Sequence, residues 1–110
     1  MKKLFVVALL AILGSTLSAF AADAKSNWAD NCAKCHGPDG KGDTPMGRKL
    51  HLEDLTDAKV QAKFTDDEAF KALKDGLKDS NGRTLMKSFS DDLADADLHA
   101  LVQYVRSLKQ

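Results

Sequence analysis

Five consecutive residues, Cys32-Ala33-Lys34-Cys35-His36, set two thiols and an imidazole at the C-x-x-C-H spacing that signals covalent attachment of a c-type haem. On a helix, Cys35 follows Cys32 by three residues and His36 follows it by four, so all three side chains emerge on one face of one turn. One porphyrin edge can then meet both thiols. Two thioethers fix the ring, and the imidazole of His36, held close by, reaches the iron as proximal axial ligand.

Other uses of the same residues fit less well. A thioredoxin-like dithiol expects a strand, a turn and a helix around the pair, and a zinc site expects further Cys or His ligands nearby. Cys32 and Cys35 are the only cysteines of the chain, and neither His51 nor His99 stands at a finger-like spacing from them. A structural disulfide between the two would leave His36 without a role.

The start of the chain agrees from an independent direction. Lys2 and Lys3 precede an apolar run from Leu4 to Leu13, followed by Gly14, Ser15, Thr16 and Ser18 and then Ala19-Phe20-Ala21. This is the pattern of a secretory signal peptide with a small-x-small cleavage site. It predicts a signal over residues 1–21, cleaved after Ala21, and export of a domain over 22–110. The apolar run is short for a membrane span of about 20 residues, which disfavours an uncleaved anchor. No cysteine stands at the cleavage point to suggest a lipoprotein.

Of the 110 residues, loss of 21 leaves 89, room for one domain with a thin apolar core. A chain of that size usually needs a staple or cofactor, and a buried haem supplies both apolar area and cross-links. The full chain carries 16 basic and 16 acidic residues, so loss of Lys2 and Lys3 leaves 14 against 16. A mildly acidic surface with no basic stripe excludes nucleic acid as a partner.

The elements that must position the motif read as three main helices joined by glycine-rich or polar loops. Trp28, Cys32 and Cys35 recur at i, i+4 and i+7, which places the indole on the face of the haem-bearing cysteines. Gly37-Pro38-Asp39-Gly40-Lys41-Gly42-Asp43 stops that helix and turns the chain, and it lacks the pattern of a phosphate loop. Residues 44–64 hold Pro45, Leu50, Leu52, Leu55, Val60 and Phe64 without a sustained period, as expected of a segment wrapping the cofactor, with one short helix near Asp57 to Lys63.

The second main helix opens at Thr65-Asp66-Asp67-Glu68, with Thr and Glu at capping-box spacing. It carries Phe70, Leu73 and Leu77 on one face, and Gly76 stops it near Asp75. The third has the strongest periodicity, in Leu98, Leu101, Val102, Val105 and Leu108. Asp95 and Asp97 stand at its start, and Arg106 and Lys109 at its end. The chain has no internal repeat and no second C-x-x-C-H.

The attachment motif with the following Gly37-Pro38-Asp39-Gly40-Lys41-Gly42, the Met86-Lys87-Ser88-Phe89 segment, and the closing Leu101-Val102-Gln103-Tyr104-Val105-Arg106-Ser107-Leu108 together resemble the class I c-type cytochromes. The likeness is to small monohaem bacterial proteins related to cytochromes c5, c6 and the cbb3-associated cytochromes, and it covers residues 24–108. It implies an all-α cytochrome c fold, three main helices around one covalent haem c, with terminal helices crossing near Trp28 and Tyr104. In that family haem attachment is completed beyond the bacterial inner membrane, which agrees with the expected export to the periplasm.

By the same resemblance Met86, in a loop ahead of the last helix, is the distal axial ligand, and a carbonyl of Pro45 or a neighbour accepts the His36 N–H. Thioether ligation favours ferrous iron and suits electron transfer. Met46 stands too close to the proximal loop to reach across, His51 would give a bis-His centre, and His99 reads as a surface residue.

Three positions depart from the family: Lys87 where proline often follows the distal methionine, Ala24 where glycine often marks the helix crossing, and Ala94 where a Ser or Thr cap is usual. At the last, Asp95 or Ser90-Asp91-Asp92 is expected to satisfy the free amides.

The implied function is single-electron shuttling without substrate chemistry, between donor and acceptor proteins that the sequence does not identify. Membrane contact is expected only in passing, through those redox partners. The other reading is a haem-based ligand-binding or sensing protein, or the haem subunit of an enzyme, with a labile or absent sixth ligand. Lys41, Arg48, Lys49, Lys74, Lys78 and Lys87 could rim the haem edge opposite Asp91, Asp92, Asp95 and Asp97, a charge dipole that steers docking. An evenly solvated surface is the alternative arrangement.

Overall fold

The computed structural model describes residues 23–110; the expected signal over 1–21 and its cleavage point lie outside the described residues. The first helix, α1 (residues 23–31), runs through Cys32 into α2 (Ala33–His36). The bonds from Cys32 N to Trp28 O (2.9 Å), His36 N to Cys32 O (2.9 Å) and Gly37 N to Ala33 O (2.8 Å) keep an i to i−4 ladder across the junction. The two pieces therefore act as one helix, as the Trp28, Cys32, Cys35 spacing predicts.

Residues 44–64 contain more helix than their irregular hydrophobicity suggests. Thr44 caps α3 (Pro45–Leu50), its Oγ1 accepting from Gly47 N at 2.8 Å, and the helix ends on His51 in the left-handed region at φ 56°. Helix α4 (Ala58–Gln61) lies within the range expected for a short helix and is capped by Asp57, whose carboxylate accepts from Lys59 N at 2.8 Å. Both are under two turns long and set by capping, which hydrophobic periodicity does not detect.

Helix α5 (Asp66–Asp75) starts on the Thr65 hydroxyl, which accepts from Glu68 N at 3.1 Å, and stops at Gly76 as predicted. A two-stranded antiparallel hairpin follows, β1 (Leu77–Lys78) and β2 (Thr84–Met86), an addition to the expected loop. The last helix is α6 (Asp95–Ser107). At its start the free end is closed by Asp97, whose carboxylate accepts the Ala94 N–H at 3.2 Å; Asp95 and residues 90–92 do not supply this contact.

The core gathers where α1 and α6 meet. Trp28, Cys32 and Leu101 are buried together, with Leu55, Leu73, Leu93, Tyr104, Val105 and Leu108 packed around them. Trp28 and Tyr104 stack tilted at 5.4 Å, at the crossing the resemblance implies, and Ala24, where the family often has glycine, is buried. Helix α5 lies against α6, the expected all-α arrangement with one small hairpin added. Among the described residues no helix is long and apolar enough to cross a membrane.

Candidate haem site

The turn that carries the motif is held from two sides. Trp28 Nε1 donates to Gly37 O at 3.1 Å, and the indole lies 5.7 Å from the His36 ring. From the other side, Thr44 Oγ1 donates to Cys35 O at 2.6 Å. A Cβ on Gly47 would stand 2.7 Å from that same carbonyl and 2.2 Å from Gly42 O, so α3 packs backbone to backbone against the motif. Only glycine fits such an approach.

Within the turn, Cys32 is buried and Cys35 half-buried, both as free thiols. Burial, helped by the neighbouring Cys35, pushes the Cys32 thiol up to about 11. Burial also lowers the His36 pKa, which keeps the imidazole neutral and its lone pair available. Among the described residues, His36 Nδ1 is the one buried side-chain nitrogen or oxygen without a hydrogen-bond partner.

That last observation corrects an expectation: no carbonyl of Pro45 or its neighbours accepts from His36. Pro45 is the first residue of α3, so its carbonyl points along that helix, and the nearby Cys35 carbonyl is taken by Thr44. The donor set nonetheless fits a haem. Two free thiols and a neutral, half-buried imidazole whose buried Nδ1 is not consumed by internal hydrogen bonding share one turn, held by Trp28 and Gly47.

Met86 stands elsewhere, at the end of β2 and half-buried, with its Cα opposite that of Leu77. Leu77 and Leu85 on the same hairpin are exposed at 48% and 42%, an apolar surface beside the methionine. The alternative ligands are differently placed. Met46 is exposed beside Gly47 on the helix packed against the motif, His51 is exposed at the end of that helix, and His99 is exposed and stacked on Phe70 at 4.0 Å. Among the described residues no three His, Cys, Asp or Glu side chains gather as a zinc site requires.

Sequence reasoning missed Thr44 and Gly47 as the residues that hold the motif, and it missed the hairpin under Met86. The signals were present: Thr-Pro is a helix start, and Asn81-Gly82 a turn between two strands.

The Cytochrome c family model matches residues 21–109. The chain belongs to the cytochrome c family. A solved structure, the KustC0563 c-type cytochrome, is similar over 80% of this chain and 99% of its own, at 30% identity and a TM-score of 0.69. A point mutant of the same protein matches over 79% of this chain and 99% of its own, with 30% identity and a TM-score of 0.66.

As a cytochrome c, this protein carries covalently bound haem c and serves electron transfer. Cys32 and Cys35 are the only thiols in this cytochrome to which that haem can be joined.

Proposed function

We propose that the chain is a periplasmic single-electron shuttle, with haem c joined to Cys32 and Cys35, His36 as proximal ligand and Met86 as distal ligand. The observation that carries this reading is the motif turn, where two free thiols precede a half-buried, neutral imidazole whose buried Nδ1 has no hydrogen-bond partner among the described residues. The N-terminal run of two lysines, apolar residues and Ala-Phe-Ala supports export.

When bound, the haem supplies a one-electron ferric/ferrous couple. The residues of the chain set its conditions. Cys32 and Cys35 are the thiols that would tether the ring and keep it from dissociating. Trp28 bonds the turn through Gly37 O and lies against His36, which fixes the imidazole plane. Burial keeps that imidazole unprotonated at neutral pH. Met86 offers a neutral thioether that favours the reduced state, and Leu77 and Leu85 present apolar surface beside it that discourages water.

The test is spectroscopic and needs the exported holoprotein. A haem spectrum that survives acid-acetone extraction, with the weak far-red band of thioether-bound ferric haem that disappears in Met86→Ala, is the expected result. Rapid CO binding by the reduced wild type, with that band absent, would instead favour the ligand-binding or enzyme-subunit reading.

A further inference from the structure

We infer that Asp79 is a positioning residue for Met86, a role that rests on Met86 being the sixth ligand. Met86 ends β2, whose partner β1 has two residues, both exposed. A two-stranded ribbon that short is marginal in water. Its register is also irregular: Leu77 faces Met86 and Lys78 faces Thr84, which leaves Leu85 as an extra residue in β2. Such a bulge decides which way the neighbouring side chain is aimed, and a slip of one residue would carry Met86 to the opposite face.

Asp79 is what closes the ribbon at the far end. Its Oδ1 accepts from the backbone N–H of Asn81 and of Arg83, each at 2.9 Å, and its Oδ2 accepts from Arg83 Nε at 2.8 Å. Its own N–H donates to Arg83 O at 2.9 Å, and its carbonyl accepts from Gly82 N at 3.0 Å. The carboxylate is well covered, its side chain 19% exposed against 79% for Arg83.

The near end is fixed separately. A Cβ on Gly76 would meet Met86 O at 2.7 Å, and Phe89 N bonds Leu73 O at 2.9 Å, so the chain after Met86 lies against the end of α5. Between these two anchors the bulge has one place to form, and Asp79 sets the anchor that α5 does not. Loss of the carboxylate frees Asn81, Arg83 and the register together.

The experiment compares holoproteins of wild type, Met86→Ala, Asp79→Ala and Asp79→Asn, with Asp66→Ala as a variant that loosens a distant ion pair. The readouts are the thioether band of the oxidised protein, the CO-binding rate of the reduced protein, and the urea midpoint. Charged hydrogen bonds are lost in Asp79→Ala, so its band weakens and its CO rate rises roughly tenfold, with Asp79→Asn between it and wild type. Asp66→Ala lowers the urea midpoint and leaves band and CO rate as in wild type.

A lowered urea midpoint in Asp79→Ala with band and CO rate unchanged makes Asp79 merely structural and overturns the proposal. Should Asp79→Ala yield no holoprotein, Asp79→Asn decides: a CO rate at least about twofold above wild type supports the role, and an unchanged rate overturns it. If the wild type lacks the band, or Met86→Ala keeps it, the ligand assignment fails and the Asp79 role falls with it. A wild type with the band and an indifferent Asp79→Ala removes the Asp79 role alone.

Discussion

Trp28 is at once core and scaffold of the candidate haem site. Its ring packs with Leu101 and Tyr104, and its Nε1 reaches the carbonyl of the residue after His36. Trp28→Phe keeps much of the apolar contact and removes one of the two hydrogen bonds to Gly37 O, which keeps the one from Gly40 N, at about 0.5–1.5 kcal/mol. A urea titration of the holoprotein measures it. Met86→Ala tests a different property. If Met86 is the distal ligand as proposed, removal of the thioether withdraws a ligand that favours ferrous iron and the midpoint potential falls, within the roughly 0.8 V range that axial ligands span. A redox titration with its spectrum reads both the fall and the loss of the thioether band.

At the scale of elements, the two close approaches at Gly47 and Gly76 decide where the motif and the hairpin sit. Gly76 has φ 78°, and a side chain there would strike Met86 O at 2.7 Å and Ser88 N at 2.8 Å, both backbone atoms that cannot swing aside. Gly76→Ala is expected to cost about 1–3 kcal/mol in the urea midpoint, the usual toll of a strained backbone position. Sequence patterning placed α5 and α6 well, since Leu98, Leu101 and Val102 recur at helical spacing and are buried on α6, and half-buried Leu73 of α5 packs against the cluster that holds Leu101. It missed α3 and the hairpin because neither has an amphipathic period. Thr44, Gly47 and Asp79 hold those elements through backbone contacts and hydrogen bonds, which leave no hydrophobic trace in the sequence.

Across the whole molecule, Arg106 ties the last helix to the segment that precedes α5. It donates to Gln61 O (2.6 Å), Gln61 Oε1 (2.8 Å), Phe64 O (2.8 Å) and Asp66 Oδ1 (2.7 Å), and it lies over the Phe64 ring. Gln61 in turn donates to Leu55 O and Val105 O. A lysine cannot reproduce that fork, so Arg106→Lys should lose about 1–3 kcal/mol in thermal or urea unfolding.

The hydrogen bond from Arg106, aided by Gln103, holds the Asp66 carboxyl below its ordinary range. A carboxylate with a depressed folded pKa adds stability above its unfolded pKa, and that stability is lost as pH falls through the folded value. The Tm difference between wild type and Asp66→Asn should therefore be full at neutral pH and narrow below about pH 4. It should also shrink in salt, because the Asp66 side chain is 56% exposed.

The sequence by itself determined the cofactor chemistry and the main helices. Cys32, Cys35 and His36 are neighbours along the chain, so a single helical turn is enough to bring them together, and α5 and α6 announce themselves by period and caps. The tertiary structure alone decided what holds that turn and what carries Met86. The bond from Thr44 to Cys35 O, the wedge of Gly47 against Cys35 and the bulged register opposite Leu77 depend on backbone approach between distant segments. It also decided that His36 Nδ1 finds no carbonyl in α3, because the direction of a helix axis is set by packing and is not written in local residue spacing.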